Sequence, residues 1–250
     1  MALRAILTDL LYPPACLLCR ADLRSRSDSG STGGASGQPI LCPACVSALP
    51  RNGPPVCARC GMSLSGAFDA VLECARCRRR PPAFEMARAP WRYAGSAQAA
   101  IRQFKYHRRW RLGRWLSDAM TATARACLPM EEIAVVVPVP RHWLKRRLAG
   151  DDPARRLARV VARSLGKPYV PSAIRRTRWT ASQTRLRGIR RRRNVQGAFR
   201  GSSRSVNRLA VLLIDDVLTS GATAGACAAA LKDAGAARVF VLTAARTPLA

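Results

Sequence analysis

The sequence predicts an α/β fold, a parallel sheet flanked by helices, preceded by a small cysteine-rich module. Three observations predict it. Short apolar, β-branched runs alternate with helical stretches over residues 90–250, as expected of strands buried on both faces and joined by crossover helices. Eight of the ten cysteines stand as four Cys-x-x-Cys pairs within residues 1–80. One apolar run, within Val211–Thr223, leads into two adjacent acids, a Thr/Ser/Gly turn and a further helix. Ligands bind at such carboxyl ends of parallel strands.

Residues 1–80 read as a zinc-ribbon-like module of the four-cysteine type. Its pairs are Cys16/Cys19, Cys42/Cys45, Cys57/Cys60 and Cys74/Cys77. Each spacing lets two thiolates of a tight knuckle meet one ion, and two knuckles complete a tetrahedral site. The eight ligands suffice for two Zn²⁺ ions, in a structural role, because closed four-cysteine sites stabilise small folds and do not catalyse. Joining the first pair to the second and the third to the fourth is the simpler arrangement; an interleaved one stays open. The spacings fit iron–sulfur patterns poorly. Gly61 suits a knuckle turn. Residues 25–38, rich in Ser and Gly, read as a flexible insertion without chemistry.

The opening stretch, Met1–Leu11, carries Arg4 and Asp9 and has neither an unbroken apolar core nor a small-residue cleavage site. It is not read as a signal peptide. No segment reaches the ~20 apolar residues of a membrane helix. A reducing cytoplasm is the expected compartment, where paired cysteines bind metal rather than form disulfides. Cys127 and Cys227 stand alone and are expected in the cores of their helices.

Residues 81–94 form a transition, with Pro81-Pro82 breaking any helix and Trp91-Arg92-Tyr93 suited to a short strand. The second, larger domain follows over 90–250. From Ser96 to Leu128 there is no internal proline, and Ala97, Ile101, Phe104, Leu112, Trp115 and Leu116 recur at near-helical spacing, giving one or two helices. Ile133–Val137 is a strand ending at Pro138, and Ala154–Leu165 is a helix. Leu209–Ile214 is a second strand, and Thr223–Ala234 a helix stopped by Gly235. Val239–Thr243 is the third strand.

The segment Val211–Thr223 suits a phosphorylated sugar. Backbone N–H groups of Thr219, Ser220, Gly221, Ala222 and Thr223 can converge on a phosphate, favoured by the helix dipole. Gly221 permits close backbone approach, and three hydroxyls add donors. Asp215 and Asp216 can accept from two ribose hydroxyls or help hold a metal, and Val217 completes the binding stretch. A bare acid pair would read as ordinary helix capping; the whole strand–acid–acid–turn–helix order does not.

Hydrophobic residues make up 48% of the chain, enough for a packed core, and the net charge is 43 − 14 = +29. That charge favours polyanions or phosphorylated substrates. Only four of the 43 basic residues are lysine, so a coding bias towards arginine and alanine accounts for the charge equally well. Two basic stretches, Arg102–Arg114 and Arg175–Arg193, are interleaved with aromatic residues, a pattern that suits single-stranded DNA. In the first, Phe104 is expected to face the core. His107 and His142 are expected at the surface or in hydrogen bonds.

With its acid pair and turn, Val211–Thr223 resembles the 5-phosphoribosyl-1-pyrophosphate (PRPP) motif of type I phosphoribosyltransferases. Together with the cysteine pairs, nearly the whole chain resembles the ComF/GntX family of competence-associated proteins. Further matches are Phe104-Lys105-Tyr106, Val137-Pro138-Val139-Pro140, Arg176 with Gln183, and Arg193-Asn194-Val195-Gln196-Gly197-Ala198-Phe199. The resemblance implies a type I phosphoribosyltransferase-like sheet. It implies that Asp215 and Asp216 bind ribose hydroxyls, Thr219–Thr223 the 5-phosphate, and Arg141 the region of the pyrophosphate. Lys105 and hood arginines such as Arg193 would neutralise departing pyrophosphate together with Mg²⁺. Gln183–Phe199 would be the mobile hood. The family's Arg-Gly-Phe-Asn-Gln-like stretch is replaced by Ala149-Gly150-Asp151-Asp152-Pro153, where Asp151 and Asp152 are expected as solvent-facing capping acids. The implied activity is transfer of phosphoribosyl from PRPP to an unknown acceptor, linked to DNA uptake. The alternative is a non-catalytic factor that handles single-stranded DNA, working with DNA-uptake and recombination proteins and keeping the pocket as a binding site.

Overall fold

The computed structural model describes residues 14–23, 39–66, 72–106, 109–141, 152–177 and 197–248. In chain order the strands are β1 (Met86–Arg88), β2 (Trp91–Arg92), β3 (Ile133–Pro138), β4 (Ile174–Arg176), β5 (Phe199–Gly201), β6 (Ala210–Leu218) and β7 (Arg238–Arg246). The helices are α1 (Pro43–Ser47), α2 (Ala75–Arg79), α3 (Gly95–Tyr106), α4 (Trp110–Cys127), α5 (Pro153–Leu165), α6 (Ser203–Val206) and α7 (Ala222–Asp233).

Strands β1, β7, β6 and β3 lie side by side in that order, with β2 also on β7, and every pairing is parallel. The predicted parallel sheet flanked by helices is therefore the fold. Strands β6 and β7 are buried over most of their length because helices cover both faces. Side-chain alternation divides the core in two. Leu212, Ile214, Phe240 and Leu242 pack with Ile101 and Phe104 of α3, Leu112 and Leu116 of α4, and Leu157 of α5. Val211, Leu213, Val239 and Val241 pack on the other face with Cys227 and Leu231 of α7.

Local chemistry sets the helix ends. Asp152 caps α5 with Pro153 in its first turn, and Gly166 closes it in the left-handed region at φ 65°. Gly235, at φ 95°, ends α7; a β-carbon there would stand 2.6 Å from Asn207 Oδ1. The Ser96–Leu128 stretch forms two helices, α3 and α4. The strand expected at Leu209–Ile214 runs on to Leu218, so the acid pair lies within it, and the last strand extends to Arg246. Strands β1, β4 and β5 have three residues each and are too short to show a period.

Cys227 is buried as expected, but Cys127 is exposed. The buried stripe of α4 runs through Leu112, Leu116, Met120 and Ala124 to Leu128. Cys127 sits one position off that stripe and faces solvent. The cysteine-rich segment is built against the sheet. Cys16 and Cys42 join the core on the α3–α5 face, whereas Cys57, Cys60, Cys74 and Cys77 join it on the α7 face. Trp91 of β2 stacks on Trp115 of α4 at 4.8 Å with ring planes 8° apart. Among the described residues no helix is long and apolar enough to cross a membrane.

Candidate functional site

The metal centres follow from local turns. In the first knuckle Cys16 N–H donates to Ala21 O and Arg20 N–H to Cys16 O, with Ala15 and Asp22 bridged. The second repeats it: Cys57 N–H donates to Met62 O, Gly61 N–H to Cys57 O, and Val56 and Ser63 are bridged. Each knuckle faces a second pair carried at the start of a short helix, Cys42/Cys45 at α1 and Cys74/Cys77 at α2. The sulfurs gather as Cys16–Cys19–Cys42–Cys45 and Cys57–Cys60–Cys74–Cys77, all within 4.8 Å of one another in each group. Sequential pairing is thus the arrangement present. Cys19 Sγ lies 3.5 Å from Cys42 Sγ, and Cys60 Sγ 3.8 Å from Cys74 Sγ. A tetrahedral tetrathiolate with bonds of ~2.3 Å needs sulfur–sulfur edges of about 3.8 Å. Both clusters therefore fit Zn²⁺, each with four protein ligands and no open position.

The second centre is built in the middle of the sheet. Strand β6 ends level with β7 at Leu218↔Arg246 and runs four residues past the end of β3 at Pro138↔Ile214, and Asp215 and Asp216 lie three and two residues before its end. Adjacent strand residues point to opposite faces. Asp216, on the α3–α5 face, pairs with Lys105 Nζ of the last turn of α3 at 2.8 Å. Burial opposes the charge of Lys105, but the Asp216 carboxylate outweighs it and holds the ammonium above the ordinary lysine value. Asp215 is half-buried, and its Oδ1 accepts the Asp216 N–H at 2.9 Å. Desolvation, reinforced by the Asp216 charge, pushes its carboxyl up to about 7, against the pull of Lys105 and that N–H.

Asp152 is the residue that sequence reasoning misplaced. It does cap α5, with Oδ1 3.4 Å from Arg155 N, but it is 6% exposed rather than solvent-facing. Among the described residues its Oδ2 has no hydrogen-bond partner, and Arg155 Nε lies 3.7 Å from it. Burial raises its pKa; the charges of Arg141 and Arg155 lower it and that of Asp216 raises it. These interactions bring Asp152 and Arg141 into the electrostatic neighbourhood of the acid pair. The Asp-Pro step announced the cap; the burial depends on β3, β6 and α4, against which α5 packs, and no local pattern records that.

Beyond Leu218 the chain turns through Thr219, Ser220 and Gly221 into α7. Gly221 takes the left-handed conformation at φ 74°, and Ser220 Oγ lies 3.4 Å from Ala222 N. The first intrahelical bond is Gly225 N–H to Gly221 O, 2.8 Å, so the amides of residues 222–224 have no acceptor within the helix. Arg246, buried at the end of β7, braces this turn. Its guanidinium donates to Leu218 O, Thr219 O, Thr247 O and Cys60 O, and lies 3.8 Å from Cys60 Sγ. The role of Arg246 was missed because its partners lie 27 or more positions away in the turn and 186 away in the knuckle.

The structure thus brings Lys105 together with Asp215 and Asp216, two strand residues before the turn that begins at Thr219, and Arg141 into the electrostatic neighbourhood of Asp152. Gln183 and Arg193 lie outside the described residues, as do His107, His142, Asp151 and the insertion 25–38. The stretch assigned to the hood is bounded by β4 and β5, which pair antiparallel from Ile174↔Gly201 to Arg176↔Phe199. Its last residue, Phe199, is buried. Phe104 faces the core as expected, while Tyr106 is exposed.

Fold and site together define a class: α/β proteins with a parallel sheet, two four-cysteine ribbons packed on it, and an acid pair entering an amide-lined turn. A double zinc ribbon family model matches residues 7–78. Over 245 residues, 95% of this chain and 99% of the relative, the sequence is 31% identical to the DNA utilization protein YhgH of Escherichia coli O157:H7. The Salmonella typhi protein of the same name is 30% identical over the same span. Competence protein F of Haemophilus influenzae is 23% identical over 231 residues, covering 90% of this chain and 94% of that one. The chain belongs to the ComF/GntX family.

Two solved structures overlap with part of the chain. One, described as the allosteric regulatory enzyme of purine biosynthesis, shares 22% identity at a TM-score of 0.36 over 53% of this chain and 25% of its own length. The other, glutamine phosphoribosylpyrophosphate amidotransferase from B. subtilis, shares 21% at a TM-score of 0.35 over 52% and 25%. The chain therefore spans about a quarter of the length of either.

Proposed function

We propose that the chain binds PRPP or a ribose phosphate at the carboxyl end of β6, and transfers the phosphoribosyl group to an acceptor with release of pyrophosphate. The observation that carries this reading is that one strand and the turn after it supply two carboxylates and a row of amides at one end of the sheet. Asp215 and Asp216 accept hydrogen bonds from the ribose hydroxyls. The turn Thr219–Thr223 receives the 5-phosphate. Lys105, already engaged with Asp216 at 2.8 Å, holds that carboxylate in place. Arg141 offers positive charge towards the pyrophosphate.

In the reaction the bond from C1 to the pyrophosphate oxygen breaks and a bond from an acceptor nitrogen to C1 forms. The nitrogen then gives up its proton. Bound Mg²⁺ would neutralise the departing pyrophosphate, and the hard oxygens of Asp215 and Asp216 would hold it. That released proton passes to solvent. The reducing cytoplasm, where zinc thiolates persist, is the compartment this reading requires.

Calorimetry with PRPP and Mg²⁺ tests it. The parent protein is expected to bind, and Asp215→Ala/Asp216→Ala to lose at least tenfold in affinity while keeping its fold by circular dichroism. No heat from either protein ends the reading. A second reading, a factor that handles single-stranded DNA and retains the sugar-phosphate pocket, is supported by the net charge of +29 and by the relatives' names.

A further inference from the structure

A cavity of about 310 Å³ lies between the second zinc ribbon and the turn before α7. One wall carries Arg76 and Arg80, the other Ser220, Gly221 and Ala222, and Phe84 lies between them. The two walls are close. A β-carbon placed on Gly221 would stand 4.0 Å from Arg76 Nη2 and from the Phe84 ring. The absence of a side chain at Gly221 keeps the space between guanidinium and turn open.

The charges in this space do not balance. A zinc ion held by Cys57, Cys60, Cys74 and Cys77 carries two positive charges against four thiolates, a net of about −2. Arg246 offsets one of these through its contact with Cys60. Arg76 lies near enough to Arg246 for its charge to disfavour the second cation. Glu73 and Glu85, the acids flanking this segment, are taken by Arg59 and Lys232. Among the described residues no carboxylate pairs with Arg76 or Arg80. Three guanidiniums therefore face two negative charges, leaving a cationic excess in a cavity bordered by helix-start amides.

We propose that the second zinc ribbon forms one side of the ligand site, with Arg76 and Arg80 reaching across the cavity to the phosphate of a sugar phosphomonoester seated on Ser220–Ala222. The proposal rests on the reading of that turn as the phosphate-binding element. It gives the ribbon a task beyond stability: it supplies the cations that the turn lacks. It also makes phosphate affinity depend on an intact zinc cluster, because α2 carries both Cys77 and Arg76.

The test is calorimetry on the full, zinc-loaded chain with ribose 5-phosphate, and with inorganic phosphate as competitor. Arg76→Ala and Arg80→Ala are each expected to weaken ribose 5-phosphate about tenfold, the scale of one charge-assisted hydrogen bond. Arg76→Lys is expected to recover part of the loss, keeping the charge without the planar fork. Zinc content is to stay at the parent level, and inorganic phosphate is to compete less well in the alanine variants. Unchanged affinity in both alanine variants, with Asp215→Ala/Asp216→Ala abolishing binding, overturns the proposal and leaves the proposed function standing. A loss of affinity that always accompanies loss of zinc also overturns it, since the arginines would then act only on the fold. Absence of ribose 5-phosphate and PRPP binding by the parent overturns both readings.

Discussion

Arg20 and Gly61 occupy the same point in the two knuckles, directly after the second cysteine, and both have left-handed backbone, at φ 67° and 61°. Only the second is glycine. The difference has a physical reason: a β-carbon on Gly61 would stand 2.4 Å from Ala87 O of β1, where the ribbon meets the sheet edge. Gly61→Ala is expected to cost about 2 kcal/mol or more, combining left-handed strain with a backbone clash. Arg20→Gly is expected to be neutral or stabilising by up to about 1 kcal/mol, strain relief being offset in part by the freer unfolded chain. Denaturant midpoints of the zinc-loaded variants check both. Asp215 gives a pH-dependent counterpart. Its folded-state value of about 7 lies above an ordinary carboxylate, so the folded chain holds a proton that the unfolded chain has released. Between pH ~4 and 7 this makes stability fall as pH rises, and above 7 the loss is complete. Asp215→Asn removes the effect. Its melting temperature, relative to the parent, should climb from pH 4 to 7 and then level off; a pH-independent difference would show that Asp215 titrates normally. The acid pair was legible in the sequence because a strand, two acids and a turn are contiguous. The environment that shifts Asp215 was not, since it is assembled from α3, α5 and α7.

At the level of elements, the ribbons were the most legible part of the chain, because metal-ligand spacing is a local property. What spacing left open, the partnership between knuckles, is settled by position: each ribbon lies on its own face of the sheet. The two differ in burial. All four cysteines of the second are buried, whereas Cys19 of the first is exposed and Cys45 half-buried. Cys77→Ser should therefore destabilise the chain more than Cys19→Ser. Each should lower the metal content from two zinc ions towards one, as read by elemental analysis alongside thermal melts. Equal destabilisation by the two would show that the second ribbon is not integral to the core. The strands were legible only in part. Their apolar runs stood out, but β1 has three residues and owes its place to pairing with β7 from Met86↔Phe240 to Arg88↔Leu242, a contact that no short-range pattern reveals. The exposed Cys127 teaches the converse: an apolar-type residue in a helix is buried only if it falls on the stripe facing the sheet.

For the whole molecule, the unsettled quantity is the charge of +29. Ligand recognition and compositional bias make different predictions about how that charge behaves in salt. If arginines contact the phosphates of single-stranded DNA, each contact releases counterions, and the logarithm of affinity falls with the logarithm of salt at about 0.7 per contact. The densest run, Arg190–Arg193, offers four such charges within Arg175–Arg193. Replacing all four with glutamine should then flatten the slope by up to about 3 and weaken binding similarly for every sequence tested. The described part of the molecule argues for testing this run rather than the Arg102–Arg114 stretch. There, Lys105 is committed to Asp216 and Phe104 to the core, which leaves that stretch fewer groups for both phosphate pairing and base stacking. A fluorescence titration of an unstructured oligonucleotide at several salt concentrations decides between the two. A slope unchanged by the replacement assigns the charge of this run to composition, and a slope reduced by the expected amount assigns it to DNA. PRPP binding, measured on the same variant, separates a nucleic-acid surface from a substrate hood: a hood loses PRPP affinity when its arginines are removed, and a pure DNA surface does not.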